Sequence, residues 1–450
     1  MPKQQKVLID NETLKTERQQ LVDEGRDIAA LADEFSALAA LDLEADPSLQ
    51  PRAAALMDGA ASLPMRADYP YDEPSDLEGI RRARPDGPRR FEMTLDDAAL
   101  FDRVLGAWLG RCAGCLLGKP VEGWHTPRIW GYLKDLGRYP LDDYFRADVP
   151  PEIAEKYMVG ARRSFIDQVD CMVEDDDLNY TVTGLAILTQ HGPDFTPDDV
   201  ANFWLRNIPV FRTYTAERVA YRNFLNLILP PASATYHNPY REWIGAQIRA
   251  DFWGYAALGD LERAAEFAWR DACVSHVKNG IYGEMWVAAM LAAAPYLDDV
   301  RAVIDAGLSE VPRASRLAAD IEEVKGWRDA GIDYEEAIRR IHARWDETWM
   351  HHWCHTNSNA QIVVLGLLWG EGDYEKSICR AVQAGFDTDC NGATVGSVYG
   401  MMHGAKALPE KWIGPLNDTL ETGVAGYYRV RISEIAREGF DLYMQLRGQA

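Results

Sequence analysis

Glycine recurs at every fourth residue twice in this chain, at Gly106, Gly110, Gly114 and Gly118 and again at Gly392, Gly396, Gly400 and Gly404. On a helix that spacing places the four residues on one face. Each glycine costs roughly 1 kcal/mol against alanine in a helix interior. A chain that accepts the cost repeatedly needs another backbone close to that face. Both runs are therefore expected to be helices, each the packing partner of the other.

An acidic turn precedes the second run: residues 385–392 read GFDTDCNG, with Asp387 and Asp389 one residue apart. A second acidic cluster, Glu174-Asp175-Asp176-Asp177, stands immediately before an amphipathic segment that starts at Leu178. Adjacent carboxylates repel one another and are costly to desolvate without a counter-charge. Alone, either cluster reads as a solvated helix start, favoured by the helix dipole. Together they open two helices that are otherwise apolar or small, and packing those helices would converge several carboxylate oxygens. Hard oxygen ligands of this kind suit Mg²⁺, Mn²⁺ or Ca²⁺ and not Zn²⁺.

Competing patterns fit less well. D-x-D-x-N-G at Asp387–Gly392 is the first half of an EF-hand loop, but its twelfth position is Val398 where a bidentate Glu belongs. An Asp-rich helix start also suits class I isoprenoid synthases, but their second metal motif is missing. Cys112 and Cys115 form a C-x-x-C inside an apolar helix, which reads as two small buried residues. The run His351-His352-Trp353-Cys354-His355 is rich in soft ligands, but no second C-x-x-C accompanies it. The sharper reading of that run is that His355, Thr356 and Asn357 line a substrate site.

The fold class follows from the period of the apolar residues. Helical spacing runs through 100–117, 178–189, 198–205, 243–257, 261–274, 282–294, 312–330, 334–348, 360–368 and 374–384. Alternating strand runs are scarce, and no fixed repeat marks a solenoid. We expect an all-α domain over residues 96–450, a compact orthogonal bundle. Residues 1–95 read as a separate extension, with one helix over 12–43 and a Pro-, Asp- and Arg-rich stretch over 46–90 of little regular structure. No chemistry is expected there, and the extension is a candidate oligomerisation arm.

The net charge of −23 argues against nucleic-acid and anionic-membrane partners. The seven cysteines are an odd, scattered number, which suits reduced thiols. No apolar leader segment is visible near the N-terminus, and cytoplasmic location is the expectation.

Several motifs together resemble the ADP-ribosylglycohydrolase family, which includes the dinitrogenase reductase-activating glycohydrolase. Gly114-Cys115-Leu116-Leu117-Gly118-Lys119-Pro120-Val121-Glu122 is similar to its G-D-x-x-G-x-P-x-E. Glu174–Asp177 is similar to its T/S-D-D-T, and Gly385–Cys390 to its G-x-D-T-D-T/S. Leu408-Pro409-Glu410-Lys411-Trp412 and Lys278-Asn279-Gly280-Ile281-Tyr282-Gly283 match further segments. The departures are Cys115 for Asp, Glu174 for Thr or Ser, and Cys390 for Thr or Ser.

The resemblance implies an all-α hydrolase with a two-ion Mg²⁺ or Mn²⁺ centre. It acts on an ADP-ribosylated protein or an ADP-ribose-like small molecule. Its metal ligands would be Glu174, Asp175, Asp176, Asp387, Asp389 and Cys390, its catalytic residues Glu122 and Asp176, and its substrate contacts Asn279 and Gly283 besides His355 and Asn357. The alternatives are cleavage of another ribosyl or nucleoside-like bond, or a metal-binding homologue without catalysis.

Overall fold

The computed structural model describes residues 8–92, 94–160 and 164–448. Among them are 22 α-helices and a single two-stranded ribbon, Thr419–Glu421 antiparallel to Arg429–Arg431. The fold is all-α, as the periodicity predicts. No helix among the described residues is long and apolar enough to cross a membrane.

The two glycine runs form the central pair, the helices Asp97–Gly118 and Thr388–His403. They pack antiparallel, backbone against backbone. A Cβ at Gly110 would stand 2.2 Å from the Gly396 carbonyl oxygen, one at Gly114 2.0 Å from that of Gly392, and one at Gly400 2.0 Å from that of Gly106. Gly404 plays a different part: it ends its helix at φ +87°, a left-handed position that glycine adopts without strain.

Most helices fall where the period places them, among them Asp176–His191, Pro197–Asn207, Leu261–Ala272, Lys278–Ala293, Arg316–Asp329, Thr356–Trp369 and Tyr374–Gln383. The expected helix over 243–257 is broken. Trp243 forms an antiparallel bridge with His355, and the Ile244 N–H donates to the Cys354 carbonyl at 2.8 Å. Helix resumes as a 3-10 turn at Gln247–Arg249 and as α-helix at Asp251–Tyr255. Long-range pairing has overridden local propensity. The helices Thr126–Asp135, Thr215–Leu225, Val300–Leu308 and Ile432–Arg447 lie outside the predicted set.

The N-terminal segment departs further from expectation. Gly25, at φ +79°, interrupts the anticipated single helix, leaving Asn11–Asp23 and Ala32–Ala39. Gln50–Ala60 and Leu77–Ala83 are helices within the stretch expected to be irregular. Leu14, Leu21, Phe35, Leu38, Leu56 and Met57 form a small core of their own.

Charges tie this segment to the main body. Arg241 holds Glu17 and Glu24 at 2.6 Å each, and Arg316 holds Glu73 at 2.8 Å and Glu242 at 2.7 Å. Gln20 donates to Glu242 at 2.7 Å, and Asp23 meets His351 at 2.9 Å.

Candidate active site

The site sits at one end of the glycine-packed pair. A Cβ on Gly118 would stand 2.2 Å from the Thr388 carbonyl oxygen, and the Thr388 hydroxyl donates to the Gly118 carbonyl at 2.9 Å. The C-terminal turn of one helix, carrying Lys119 and Glu122, is thereby fixed against the N-terminal turn of the other, carrying Asp387 and Asp389. Asn359 steadies that turn: its side-chain oxygen accepts from the Asp387 N–H at 3.1 Å and from Asn391 at 2.8 Å.

The other acidic cluster arrives on the helix Asp176–His191. Asp175 caps it, accepting from the Asp177 N–H at 2.9 Å, while its second oxygen takes the Lys119 ammonium at 2.5 Å. Asp177 turns inward to Arg111 at 3.2 Å, and the Cys390 thiol donates to it at 3.1 Å. Arg111 also holds Asp251 at 2.8 Å. Glu174 faces a cavity but is engaged by Arg212 and by Asn179, whose amide donates to it at 3.1 Å.

The cavity has a volume of about 580 Å³. Lys119, Glu122, Asp175, Asp176, Asp387, Asp389 and Cys390 form its acidic floor, and Tyr214, Ile244, Gly245, Met350 and Trp353 are among its walls. Two groups of ligand-capable atoms lie within 4.8 Å of one another: Cys115, Asp175, Asp177 and Asp389, and then Asp387, Asp389 and Cys390. Asp389 belongs to both. Asp176 lines the cavity beside them.

The charge balance of this floor is unlike that of the rest of the molecule. Among the described residues, every other buried carboxylate has an Arg, Lys or His nitrogen within 4.0 Å: Glu17, Glu24, Asp175, Asp177, Glu217, Glu242, Asp251, Asp271, Glu284, Glu310, Asp320 and Glu347. Asp387 and Asp389 have none. One Asp389 oxygen is buried without any hydrogen-bond partner.

Desolvation and neighbouring negative charge disfavour ionisation here. Burial and Glu122 push Asp387 up to about 7. Burial, Glu122 and Asp175 push Asp389 well above the usual carboxylate range, and burial with Asp175 and Asp177 does the same to Asp176. Burial would also raise Asp175, but Lys119 outweighs it and the net shift is downward. An unpaired, oxygen-rich floor of this kind fits a hard divalent cation.

The cysteines fit it less well. Burial and the surrounding carboxylates push Cys115 and Cys390 well up, so both remain thiols. Cys390 acts as a hydrogen-bond donor to Asp177.

The structure brings together Glu122, Asp175, Asp176, Asp387, Asp389 and Cys390, with Glu174 held at the edge by Arg212. It does not bring Asn279, Gly283, His355 or Asn357 to the cavity lining. Asn279 bonds Glu73 and Glu242, Gly283 packs on Thr356 and Gln247, and Asn357 donates to Asp320 at 2.7 Å.

His355 and His351 lie within 4.8 Å of Asp23, yet they are poorly set for zinc. The Nδ1 of His355 accepts from the Asn357 N–H, and that of His351 accepts from the Trp243 indole. With Nδ1 accepting, the ring proton sits on Nε2, which a metal would need free.

Sequence reasoning missed Arg111, Lys119 and the inward turn of Asp177. One signal was present: an arginine in the run LGRCAG must find a buried partner.

No curated protein matches this chain. A solved structure described as an ADP-ribosylglycohydrolase-related protein complex aligns over 77% of this chain and 99% of its own, at 20% identity and a TM-score of 0.44. The family model for ADP-ribosylglycohydrolase matches residues 96–449, and on that match the chain belongs to the ADP-ribosylglycohydrolase family, with the glycosylhydrolase type of function that membership carries.

Proposed function

We propose that this chain hydrolyses the bond at the anomeric carbon of a ribose, releasing ADP-ribose or a related ribosyl group from a protein side chain or small molecule. The observation that carries the reading is the pair Asp387 and Asp389, buried at the floor of a cavity of about 580 Å³ with no cationic side chain paired to them among the described residues. That volume suits a small-molecule site.

Asp176, Asp387 and Asp389 would hold Mg²⁺ or Mn²⁺, with Asp175 beside them. Bound there, such an ion supplies a Lewis acid that orients ribose hydroxyls and acidifies water. The chain's own groups do the rest. The bond from the anomeric carbon to the leaving atom breaks, and a bond to water oxygen forms. Water gives up one proton and the leaving atom gains one. Glu122, on the cavity floor, is the group assigned to that proton transfer. The transition state has oxocarbenium character, which the surrounding carboxylates stabilise. Tyr214 and Trp353 offer apolar surface for the remainder of the substrate.

Asp176→Ala is expected to abolish hydrolysis of ADP-ribosylated substrates while leaving the circular dichroism spectrum unchanged. Full activity in excess EDTA would end the metal-dependent reading. A second reading, a metal-binding homologue without turnover, draws on the thiols at Cys115 and Cys390. Mn²⁺ binding with no release from ADP-ribosyl-arginine, ADP-ribosyl-serine or free ADP-ribose derivatives would favour it.

A further inference from the structure

We infer that Lys119 is a built-in cation that takes the place of one divalent ion, so that the floor binds a single Mg²⁺ or Mn²⁺ rather than two. This rests on the metal-dependent reading above and concerns only the number of ions.

The two ligand-capable groups share Asp389 but differ in what already neutralises them. In the first, Lys119 stands 2.5 Å from Asp175 and Arg111 stands 3.2 Å from Asp177. The fourth member, Cys115, brings a buried thiol where the family motif has a carboxylate. Two of its three carboxylates are therefore matched by side-chain cations, and a dication set against Asp175 would be placed beside an ammonium of like charge.

The second group has no such partner. Among the described residues neither Asp387 nor Asp389 pairs with a cationic side chain, one Asp389 oxygen is buried and unpartnered, and the two carboxylates bring oxygens within 4.8 Å of each other. Glu174, the further acid of the same cluster, is taken by Arg212. Lys119 lines the cavity along with these carboxylates, so its ammonium belongs to the site and not to a distant surface. Position 119 is the variable x of G-x-P-x-E, so a lysine there is a property of this chain and not of the motif.

The test counts ions on the full-length protein after chelator treatment, using Mn²⁺ alone as the probe. Equilibrium dialysis gives the stoichiometry, and the electron paramagnetic resonance spectrum separates an isolated Mn²⁺, with six sharp lines, from a spin-coupled pair. Wild type is expected to bind one tight Mn²⁺ with the isolated-ion spectrum. Lys119→Met is expected to gain a second ion and the coupled spectrum, and Lys119→Arg to remain at one.

Two tight ions in wild type, or one in a folded Lys119→Met, would overturn the inference while leaving the hydrolase reading in place. No Mn²⁺ binding, with activity resistant to EDTA, would remove both. The wild-type count decides the matter even where Lys119→Met does not fold.

Discussion

Two buried, acid-rich regions of this molecule are built on opposite principles. In the wall network, named for the cavity-wall residues Ile244 and Gly245 that follow Arg241 and Glu242 in sequence, Glu17 and Glu24 share Arg241 while Glu73 and Glu242 share Arg316, so every carboxylate meets a guanidinium. On the cavity floor, Asp387 and Asp389 have no such partner among the described residues. The chain can pair buried acids when the task is structural. Two acids left without a cation among the described residues, on a backbone fixed by glycine contacts, are what the proposed metal-dependent reading calls for. Proximity of acids does not by itself make a site; the missing cation does.

The floor depends on its backbone support, and breaking that support should have the largest effect. Gly396→Ala puts a methyl group 2.1 Å from the Gly110 carbonyl oxygen, a contact that only movement of a whole helix relieves. The expected loss is about 3 kcal/mol or more, read as a fall in the chemical-denaturation midpoint. A midpoint within error of wild type would mean that the two helices do not pack this closely.

A pair of substitutions then separates wall from floor. Arg316→Ala strands Glu73 and Glu242, and is expected to cost about 3–5 kcal/mol of stability. Asp389→Asn removes a carboxylate that no cationic side chain among the described residues pairs with. The metal-free protein should be at least as stable as wild type, while activity falls on the order of a thousandfold or more as a ligand is lost. Equal destabilisation by both changes would erase the distinction between the regions.

This contrast also divides what the sequence revealed from what it hid. The glycine period exposed the central helix pair because nothing but close backbone contact rewards that many glycines. Asp387 and Asp389 were legible because two acids beside a small-residue helix have few structural uses. Lys119 and Arg111 were not, since their roles depend on acids 56 and 66 residues away in sequence. The wall network was invisible for the same reason: Glu73 and Arg316 are 243 residues apart. The Trp243–His355 bridge hid behind a helical period, and it diverts Asn357 into the interior, where it bonds Asp320.

Metal binding at the floor should depend on pH. Asp387 is raised to about 7 by burial and Glu122. In the metal-free protein the folded state keeps this proton while the unfolded state, with an ordinary carboxylate, loses it from about pH 4 upward. Its contribution to stability is therefore present at low pH and is lost as pH rises toward 7. A cation must displace this proton and those held by Asp389 and Asp176, so Mn²⁺ affinity should rise with pH, by about tenfold or more per unit below 7. Calorimetric titration at pH 6, 7 and 8 checks this, and an affinity independent of pH would show that Asp387 is not a ligand.

The smallest effect is expected where the two principles meet, at Glu174. Its carboxylate faces the cavity, like those of the floor, but is held by Arg212, like those of the wall. Arg212 is half exposed, so the pair is screened by water and is worth no more than about 1 kcal/mol. Arg212→Ala should therefore barely move the denaturation midpoint. It also frees one oxygen of Glu174, the other staying with Asn179. If the missing cation is what defines the floor, the freed carboxylate should strengthen Mn²⁺ binding by a few-fold, and Arg212→Lys, which keeps the charge, should not. Weaker Mn²⁺ binding in Arg212→Ala would instead make Arg212 part of the support of the floor, and would move the boundary between the two regions inward.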